Sequence, residues 1–293
     1  MSDITLLDGG MGQEHFSRVV DAPTGFWATK VMYDHPGLVE QVHKDYFDAG
    51  ATVATANTYA LHADRLVNSD FEDRRGLLIQ AALDEAHSAQ AAHGTGRVAG
   101  SIGPLVWSYR SDGQPDYADA KPIFADMAQH LAPRVDILII ETIASLEQAR
   151  AALDGARETD APVWLGVTVD DEDGTKLRSG EPVADLMTLE PDAILANCSA
   201  PEAIPAALRV FATGNRPFGA YANAFVEITK EFLSPGSTTS ELSKRDLTPQ
   251  AYGEHVQSWV DMGATIVGGC CETGPSHIRE IAQRLTAAGH VIV

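Results

Sequence analysis

The chain has 293 residues, of which 44% are hydrophobic and 21% are charged; this composition is typical of a globular protein with a large core. Its 41 acidic and 21 basic residues give a formal net charge of −20, which disfavours binding to nucleic acid and to anionic membrane surfaces. Met1–Leu7 lacks the basic flank and apolar stretch of a signal peptide, and no apolar run is long enough to cross a bilayer. The adjacent Cys270 and Cys271 would make a poor disulfide. A reduced, cytoplasmic location is therefore expected.

Short β-branched or apolar runs alternate with helical patterns along the chain. The run Ile137–Ile140 is apolar at every position, which is typical of a strand covered on both faces in a parallel sheet. Eight strands are predicted on these grounds, at Ile4–Gly9, Thr52–Asn57, Val98–Gly103, Ile137–Thr142, Val163–Val169, Ala193–Cys198, Phe218–Asn223 and Thr265–Cys270.

The predicted helices carry start and stop signals. Gly50 ends the first of them, and Ser145 with Gln148 three residues later has the spacing of a capping box. Thr248 followed by Pro249 is typical of a helix N-cap and first turn. These signals predict helices at Gly37–Ala49, Glu72–His93, Ser145–Ala156, Thr248–Met262 and Pro275–Ala287.

Eight strand-then-helix units in a chain of this length predict an α/β fold, a single-domain (β/α)8 TIM barrel over residues 1–293. A doubly wound sheet is the alternative. The irregular segments Pro104–Tyr117 and Ala224–Leu247 follow the third and seventh strands, on the barrel face where active sites form. Segments this long are either functional or plain surface insertions.

Polar residues stand at the predicted ends of six strands: Asp8, Asn57, Glu141, Cys198, Asn223 and the Cys270-Cys271 pair. In a barrel these ends surround one mouth, and alternate strands contribute to the same interior layer. Polar residues from the second, fourth, sixth and eighth strands are therefore expected around one cavity.

The chain has three cysteines, and all of them lie at these strand ends. Three thiolates plus an exchangeable position would suit a catalytic zinc ion, whereas a plain core role is the alternative for Cys198. Successive residues of a strand point to opposite faces, so Cys270 and Cys271 can reach one ion only where the strand ends or kinks. Gly268-Gly269 is expected to supply that freedom.

The turn Leu7–Gly10 offers a second binding feature. Its two glycines allow close approach of a ligand, and successive N–H groups can form an anion nest. Such a nest could hold a carboxylate while Asp8 faces an ammonium group, although an acid at a strand end can also cap a helix or pair with a base. A nest, two acids and a thiolate-bound metal suit an amino acid that carries sulfur.

Together these motifs resemble the homocysteine S-methyltransferase family, which includes betaine- and S-methylmethionine-dependent enzymes and the homocysteine-binding module of cobalamin-dependent methionine synthase. The resemblance covers nearly the whole chain. It depends on LLDGGMGQE (Leu6–Glu14), AGATVATANTY (Ala49–Tyr59), GSIGP (Gly100–Pro104), ET (Glu141-Thr142), NCS (Asn197–Ser199) and GGCCETGPSHI (Gly268–Ile278).

The resemblance implies a zinc-bearing barrel that methylates L-homocysteine to methionine, with Zn2+ as its cofactor. Carried over by motif, the zinc ligands are Cys198, Cys270 and Cys271. Asp8 and Glu141 are implied to bind the homocysteine amino group, and the backbone of Gly9 and Gly10 its carboxylate. Asn57 matches the polar position of the second-strand motif.

The chain departs from the family pattern in two places, the first just beyond the metal ligands, which it does not remove, and the second at a mouth position on which the donor depends. Glu272–Pro275 reads Glu-Thr-Gly-Pro in place of Gly-Thr-Thr-Pro, and Tyr221–Phe225 replaces Tyr-Pro-Asn-Ser-Gly. The methyl donor is therefore left open among S-methylmethionine, S-adenosylmethionine and betaine-like compounds. Aromatic residues that could bind such a cation are Trp27, Tyr59, Trp107, Tyr109 and Tyr221.

Two alternatives to a stand-alone methyltransferase are considered. One is a homocysteine-binding module that needs a separate corrinoid protein in trans to supply the methyl group. The other is a redox or metal sensor, which is disfavoured because a sensor has no need of Asp8 and Glu141 at the same mouth. The partners expected are homocysteine and a small donor, and the oligomeric state is left open, a homo-oligomer included.

Overall fold

The computed structural model describes residues 1–19, 26–228 and 242–293. Nine parallel strands form one sheet in these residues. The strands are β1 (Asp3–Leu6), β2 (Val53–Ala56), β3 (Arg97–Ile102), β4 (Ile137–Ile143), β5 (Val163–Val167), β6 (Ala193–Asn197), β7 (Phe218–Ala222), β8 (Ile266–Gly269) and β9 (Val291–Ile292).

The sheet closes into a barrel. Its order is β2-β3-β4-β5-β6-β7-β8-β1-β9, so β2 to β8 follow the chain and β1 lies beside β8. A parallel bridge between Leu7 and Val53 joins β1 to β2, and the Thr52 N–H donates to the Leu6 carbonyl at 2.7 Å. The predicted eight-stranded barrel is therefore confirmed, and the doubly wound alternative is wrong.

The ninth strand was not predicted. β9 pairs in parallel with β1, with Asp3 opposite Val291 and Ile4 opposite Ile292. β9 pairs with the first residues of β1, on the edge opposite β8, whereas the link to β2 lies further along that edge at Leu6 and Leu7, so β9 lies outside the ring of eight.

Helices pack around the barrel. The α-helices of the described residues are α1 (Met11–Ser17), α2 (Trp27–Asp34), α3 (Leu38–Ala49), α4 (Ala63–Leu66), α5 (Arg75–His93), α6 (Tyr117–Leu131), α7 (Leu146–Ala156), α8 (Ile204–Phe211), α9 (Pro249–Asp261) and α10 (Pro275–Ala287). The predicted helices correspond to α3, α5, α7, α9 and α10 and are confirmed with small shifts at their ends. Within the described residues no helix has the length and apolar character needed to span a membrane.

The caps of α7 and α9 are those that the sequence predicts, with one difference. Ser145 Oγ accepts from the Gln148 N–H at 3.3 Å, but Gln148 Oε1 accepts from the Ala144 N–H rather than from that of Ser145. Thr248 Oγ1 accepts from the Ala251 N–H at 3.2 Å. Each cap satisfies an N–H group that the first helical turn would leave unpaired.

The fifth unit departs from the predicted strand-helix repeat. Between β5 and β6 the chain forms antiparallel bridges, Val169 with Leu177 and Lys176 with Pro182, and then a short 3₁₀ helix, Val183–Thr188. The described residues between β5 and β6 form no α-helix, so the count of eight β-then-α units is wrong by one. The barrel still closes because β5 and β6 pair directly.

The barrel interior is packed rather than open. Buried side chains from every barrel strand, or from the residue after it, fill the inside: Leu7, Val53, Ala99, Ile137, Ile139, Trp164, Ala193, Leu195, Tyr221 and Ile266. A larger cluster fills the space between the sheet and the helices. The packed interior leaves the carboxyl ends of the strands as the place for a ligand.

Candidate active site at the barrel mouth

A cavity of about 530 Å³ opens at the carboxyl ends of the strands. Its walls come from the ends of β1, β2, β4, β6, β7 and β8, from α1 and α4, and from the segment after β3. All eight residues to which the sequence assigns a role line it: Asp8, Gly9, Gly10, Asn57, Glu141, Cys198, Cys270 and Cys271. The predicted juxtaposition is confirmed, whereas the role of each residue remains a prediction.

The three cysteines converge in this cavity. Their Sγ atoms all lie within 4.8 Å of one another, and those of Cys198 and Cys271 are 3.5 Å apart. The Tyr109 hydroxyl approaches the Cys198 Sγ to 2.9 Å and the Cys271 Sγ to 4.0 Å. In the part of the chain that the structure describes, no other group of three such side chains is spaced to hold a metal ion. Three sulfur donors this close fit a single ion.

A tight turn lets both vicinal cysteines face the cavity. The Thr273 N–H donates to the Cys270 carbonyl at 3.2 Å, and Glu272 between them has φ +65°. This is the pattern of a type II turn, whose third residue needs positive φ and is usually glycine. The glycine of the common family pattern would adopt this conformation without strain. Glu272 occupies it with backbone strain, because its side chain disfavours positive φ.

Gly268 and Gly269 have a different role from the expected one. Neither has positive φ in the structure. A Cβ on Gly269 would lie 2.0 Å from the Thr273 Oγ1, and one on Gly268 would lie 2.6 Å from the Leu7 Cβ. These glycines allow neighbouring segments to approach the strand closely, and the bend comes from Glu272.

The thiols influence one another. Burial raises the pKa of the Cys198 thiol. Hydrogen bonds with Cys198 and Cys270 hold the pKa of Cys271 well below its usual range, and hydrogen bonds with Cys198 and Cys271 raise the pKa of Cys270. The three thiols therefore titrate as one coupled group.

Asp8 lies two residues beyond β1 and is 3% exposed. Its carboxylate accepts from the Thr55 N–H at 2.6 Å and from the Thr55 Oγ1 at 2.7 Å. Burial nevertheless raises the pKa of Asp8 to about 7, with a smaller contribution from Glu141. His43 Nδ1 is 4.0 Å away, but burial lowers the pKa of His43 to about 3, so this imidazole is neutral and offers no charge.

Glu141 was predicted at the end of its strand. It lies inside the strand instead, because β4 continues to Ile143. The register with β5 shifts between Ile140 and Ile143, and Thr142 has φ +61°. This irregularity is held by Asn197, whose Oδ1 accepts from the Thr142 N–H at 2.9 Å and whose Nδ2 donates to the Thr142 Oγ1 at 3.2 Å. Bulges re-aim side chains next to active sites, and this one accompanies a Glu141 side chain that lines the cavity.

The Glu141 carboxylate accepts a hydrogen bond from the Ser101 hydroxyl. Burial raises the pKa of Glu141 to about 7, and the nearby Cys198 contributes to that rise. Two buried acids with raised pKa values therefore lie at one mouth. A cationic ligand would offset the cost of ionising them.

The two glycines expected to form an anion nest are not equivalent. The Gly10 N–H donates to the Thr273 carbonyl at 2.8 Å, so it is already hydrogen-bonded in this structure, and its role toward a carboxylate stays a prediction. Gly9 and Gly10 both pack closely against the segment after β8. A Cβ on Gly9 would lie 2.3 Å from the Thr273 carbonyl oxygen, and a Cβ on Gly10 would lie 2.6 Å from the Cys270 carbonyl oxygen. The Gly9 N–H has no hydrogen-bond partner within the described ranges.

Asn57 and Asn223 are used mainly for structure. Asn57 Nδ2 donates to the Ala28 carbonyl at 3.1 Å and ties β2 to α2, although the residue also lines the cavity. Asn223 Oδ1 accepts from the Phe225 N–H at 3.1 Å and does not line the cavity.

The aromatic candidates and long loops have mixed outcomes. Tyr59, Trp107, Tyr109 and Tyr221 line the cavity, whereas the side chain of Trp27 lies outside the described part of the chain. The irregular segment after β3 is confirmed as a cavity wall. Most of the predicted Ala224–Leu247 segment, residues 229–241, lies outside the described residues.

Several supporting residues were not singled out from the sequence. Thr55, Ser101 and the Thr142–Asn197 pair hold the two acids, and all four occur inside the motifs quoted above. Gln13 is another: it lines the cavity, and its Nε2 is buried without a hydrogen-bond partner among the described residues.

Comparison with known proteins identifies the family. The sequence profile described as Homocysteine S-methyltransferase matches residues 5–285. The chain belongs to the homocysteine S-methyltransferase family. It is 30% identical to the homocysteine S-methyltransferase of Escherichia coli strain K12, over 96% of this chain and 95% of that one.

Two further proteins are similar to this methyltransferase over most of its length. The metallated form of the homocysteine methyltransferase MmuM from E. coli matches with a TM-score of 0.80 and 25% identity, over 97% of this chain and 96% of that one. Methionine synthase of Mycobacterium tuberculosis is 30% identical over 84% of this chain, but the match covers 21% of that much longer protein. The family and the barrel that the motifs predict are both confirmed.

Proposed function

We propose that this methyltransferase transfers a methyl group from a cationic donor to the thiolate of L-homocysteine, giving methionine, with a zinc ion held by Cys198, Cys270 and Cys271. The observation that carries the proposal is the meeting, in one cavity, of three thiols with two buried acids. A ligand with both a thiol and an ammonium group satisfies both features.

The residues present fit a zinc ion. Sulfur ligands about 2.3 Å from a tetrahedral zinc lie about 3.8 Å apart, and the three Sγ atoms here are within 4.8 Å of one another. Thiolates are soft donors that select zinc over magnesium or calcium. When bound, the ion supplies a lowered pKa for the homocysteine thiol, which is then a thiolate at neutral pH.

Asp8 and Glu141 receive the homocysteine ammonium group in this proposal. Each has a pKa of about 7 because of burial. An ammonium group placed between them would favour their ionised forms and repay the desolvation that raises their pKa values. Thr55 and Ser101 hold the two carboxylates in place by donating hydrogen bonds.

The homocysteine carboxylate is assigned to the donors that the fold leaves without partners. These are the Gly9 N–H and the Gln13 Nε2, which both lie in the cavity wall. A buried donor without a partner costs free energy, and a carboxylate would satisfy both. Gly10, which the motif comparison implies as well, has an N–H that is bonded to Thr273 in this structure.

Methyl transfer then needs alignment more than proton transfer. A carbon–sulfur bond forms between the homocysteine thiolate and the methyl carbon. The bond from that carbon to the donor heteroatom breaks, and its electron pair stays on the donor, which loses its positive charge. The cavity walls hold the two reactants in line and exclude water, which is how orientation contributes to the rate.

The alternative is a homocysteine-binding module that depends on a corrinoid protein in trans. Its support is the match to the much longer methionine synthase of M. tuberculosis. The stand-alone reading is favoured because the E. coli homocysteine S-methyltransferase is matched over 95% of its length.

One experiment separates the two readings. The purified zinc-loaded protein is given homocysteine with S-methylmethionine, S-adenosylmethionine, glycine betaine or dimethylsulfoniopropionate separately, and methionine is measured. Methionine from any donor supports the proposal, and its absence with all four moves the function to the corrinoid-dependent alternative. The Cys271→Ala protein is the control for metal-independent background.

A further inference from the structure

The segment between β5 and β6 places Arg178 beside the cysteine cluster, where the proposed function gives it no role. Its guanidinium carbon lies 5.2 Å from the centre of the Tyr109 ring, over the ring face, which is the geometry of a cation–π contact. Tyr109 is 3% exposed, and its hydroxyl is 2.9 Å from the Cys198 Sγ. A charged side chain is thus linked to a cysteine through one phenol ring.

Arg178 is itself fixed by several hydrogen bonds. Its Nη2 is 3.0 Å from both carboxylate oxygens of Asp171, and its Nε donates to the Thr168 Oγ1 at 2.9 Å. The side chains of Arg178 and Asp171 are 11% and 15% exposed, so solvent screens this ion pair less than a surface pair. Asp171 also accepts from the Ala200 N–H at 2.8 Å. The ion pair therefore holds the backbone two residues beyond Cys198 as well as the Tyr109 ring.

Tyr109 and Cys198 both have strained backbones. Their φ angles are +65° and +47°, a region that residues other than glycine rarely adopt. Such conformations persist where surrounding contacts fix them, and they are concentrated at functional sites. Arg178 supplies the contact at the Tyr109 ring, and the Thr168 hydroxyl donates to the Cys198 carbonyl at 3.3 Å. The segment after β5 therefore fixes both members of the Tyr109–Cys198 contact.

The Tyr109 hydroxyl is the donor in this contact whenever Cys198 binds a metal ion. A metal-bound cysteine is a thiolate and can only accept, whereas a phenol has an O–H to donate. A hydroxyl that was itself a ligand of a tetrahedral zinc ion would lie about 3.5 Å from each sulfur. The observed distances are 2.9 Å to the Cys198 Sγ and 4.0 Å to the Cys271 Sγ, which favours a hydrogen bond to Cys198.

We infer that Tyr109 and Arg178 are positioning residues of the metal centre: the Tyr109 hydroxyl donates a hydrogen bond to the Cys198 sulfur, and Arg178 fixes the ring that carries it. This inference rests on the metal site of the proposed function. Three thiolates carry more negative charge than one divalent ion neutralises, and a homocysteine thiolate would add to that excess. An O–H donated to one sulfur stabilises the excess charge, and groups of this kind orient metal ligands.

The first test measures metal affinity. Tyr109→Phe removes the hydroxyl and keeps the ring under Arg178. It should weaken zinc binding about tenfold or more, measured by competition with a chromophoric chelator, since that is the usual cost of losing an outer partner of a metal ligand. Arg178→Met should weaken zinc binding as well. Arg178→Lys keeps a cation that can lie over the ring, and it should bind zinc more tightly than Arg178→Met does.

Two matched controls make the same chemical changes elsewhere. Tyr117→Phe removes a hydroxyl that donates to Asp154 at 2.9 Å, between α6 and α7. Arg97→Met removes a guanidinium group that lies 5.7 Å from the centre of the Trp164 ring, at the start of β3 and so at the opposite end of the barrel. Both controls should bind zinc as the wild type does.

A spectroscopic measurement separates the hydrogen bond from a general effect on folding. In the cobalt-loaded protein the energy of sulfur-to-cobalt charge transfer depends on the sulfur lone pairs, which a donated hydrogen bond stabilises. The band should therefore move to longer wavelength in Tyr109→Phe and in Arg178→Met, and it should not move in the two controls. A site that is merely less occupied would give a weaker band at the wild-type wavelength.

Three results would overturn the inference. They are an unchanged zinc affinity in Tyr109→Phe, a loss of affinity without the shift of the cobalt band, or a tyrosinate signal in ultraviolet difference spectra when zinc is added to the wild type, which would make Tyr109 a ligand. Circular dichroism shows whether each variant is folded, and the Arg178 variants provide the test if Tyr109→Phe is not.

These measurements need no turnover, so they are separate from the test of the proposed function. If no donor yields methionine but Tyr109→Phe shows both effects, the proposed reaction fails and the inference stands. If methionine is formed and Tyr109→Phe matches the wild type in affinity and spectrum, the inference alone fails. A wild-type protein that binds neither zinc nor cobalt would overturn both.

Discussion

Replacing Asp8 by asparagine removes a buried charge while keeping the size of the side chain. Burial raises the pKa of Asp8 from 3.8 to about 7. The folded protein therefore keeps this proton at pH values where the unfolded chain has lost it. Because the folded pKa lies above the unfolded one, Asp8 lowers the stability of the wild type progressively as pH rises from about 4 to about 7, and fully above that.

The magnitude follows from that difference. Each pH unit between the two pKa values is worth about 1.4 kcal/mol, so the whole interval is worth about 4 kcal/mol. Asparagine cannot ionise and escapes this cost. The unfolding free energy of Asp8→Asn, minus that of wild type, should therefore rise by about 4 kcal/mol between pH 4 and pH 8. A changed hydrogen bond to Thr55 in the variant alters the unfolding free energy equally at both pH values, so it cancels when the two pH values are compared.

Urea unfolding of the metal-free proteins at pH 4, 6 and 8, followed by circular dichroism, measures this difference. Asp73→Asn, which removes an exposed carboxylate at the start of the 3₁₀ turn Glu72–Arg74, controls for the change in net charge. A difference between Asp8→Asn and wild type that stays constant with pH would refute the idea that Asp8 is protonated in the folded protein. The same variant should bind homocysteine more weakly at pH 8, by calorimetry.

Further predictions concern the metal, the substrate and the turn. Cys271→Ala should lose most of its bound zinc, measured by elemental analysis of folded protein; full stoichiometry would remove this residue from the ligands. Glu141→Gln should weaken homocysteine binding about tenfold or more with zinc retained, and unchanged affinity by calorimetry would contradict its role. In wild type, homocysteine affinity should fall as pH drops below about 7, where Asp8 and Glu141 take up protons; a flat profile between pH 6 and 8 would argue against both. Glu272→Gly should be neutral or stabilise by about 1 kcal/mol despite losing the ion pair with Lys244, and clear destabilisation in urea would disprove strain at that turn.

The barrel and the position of the site could be predicted from the sequence for a physical reason. Strands covered on both faces are continuously apolar, so a polar residue at the end of such a run stands out, as Asp8 and Cys198 do. Parallel strands bring all such ends to one face. The pattern therefore locates the mouth without any knowledge of side-chain packing.

What the sequence could not reveal depends on contacts between distant segments. The Gly10 N–H already has a partner, because Thr273, more than 260 positions later, accepts its hydrogen bond. The orientation of Glu141 depends on Asn197 across two strands. The segment after β5 carries the turn signals Asp173-Gly174, Ser179-Gly180 and Pro182, but the bridges that replace the helix there are visible only in the folded chain. Likewise, the vicinal glycines are explained by close approach, which only the folded neighbours show.

Asp8 also joins the two ends of the ring. The hydrogen bonds that its carboxylate accepts from Thr55 cross the junction of β1 and β2, alongside the bridge between Leu7 and Val53 and the hydrogen bonds between Leu6 and Thr52. In the proposed function, substrate binding and barrel closure therefore depend on the same side chain. If Asp8 binds homocysteine as proposed, amide hydrogens at this junction should exchange more slowly in its presence, and replacing this acid should also weaken the closure of the barrel.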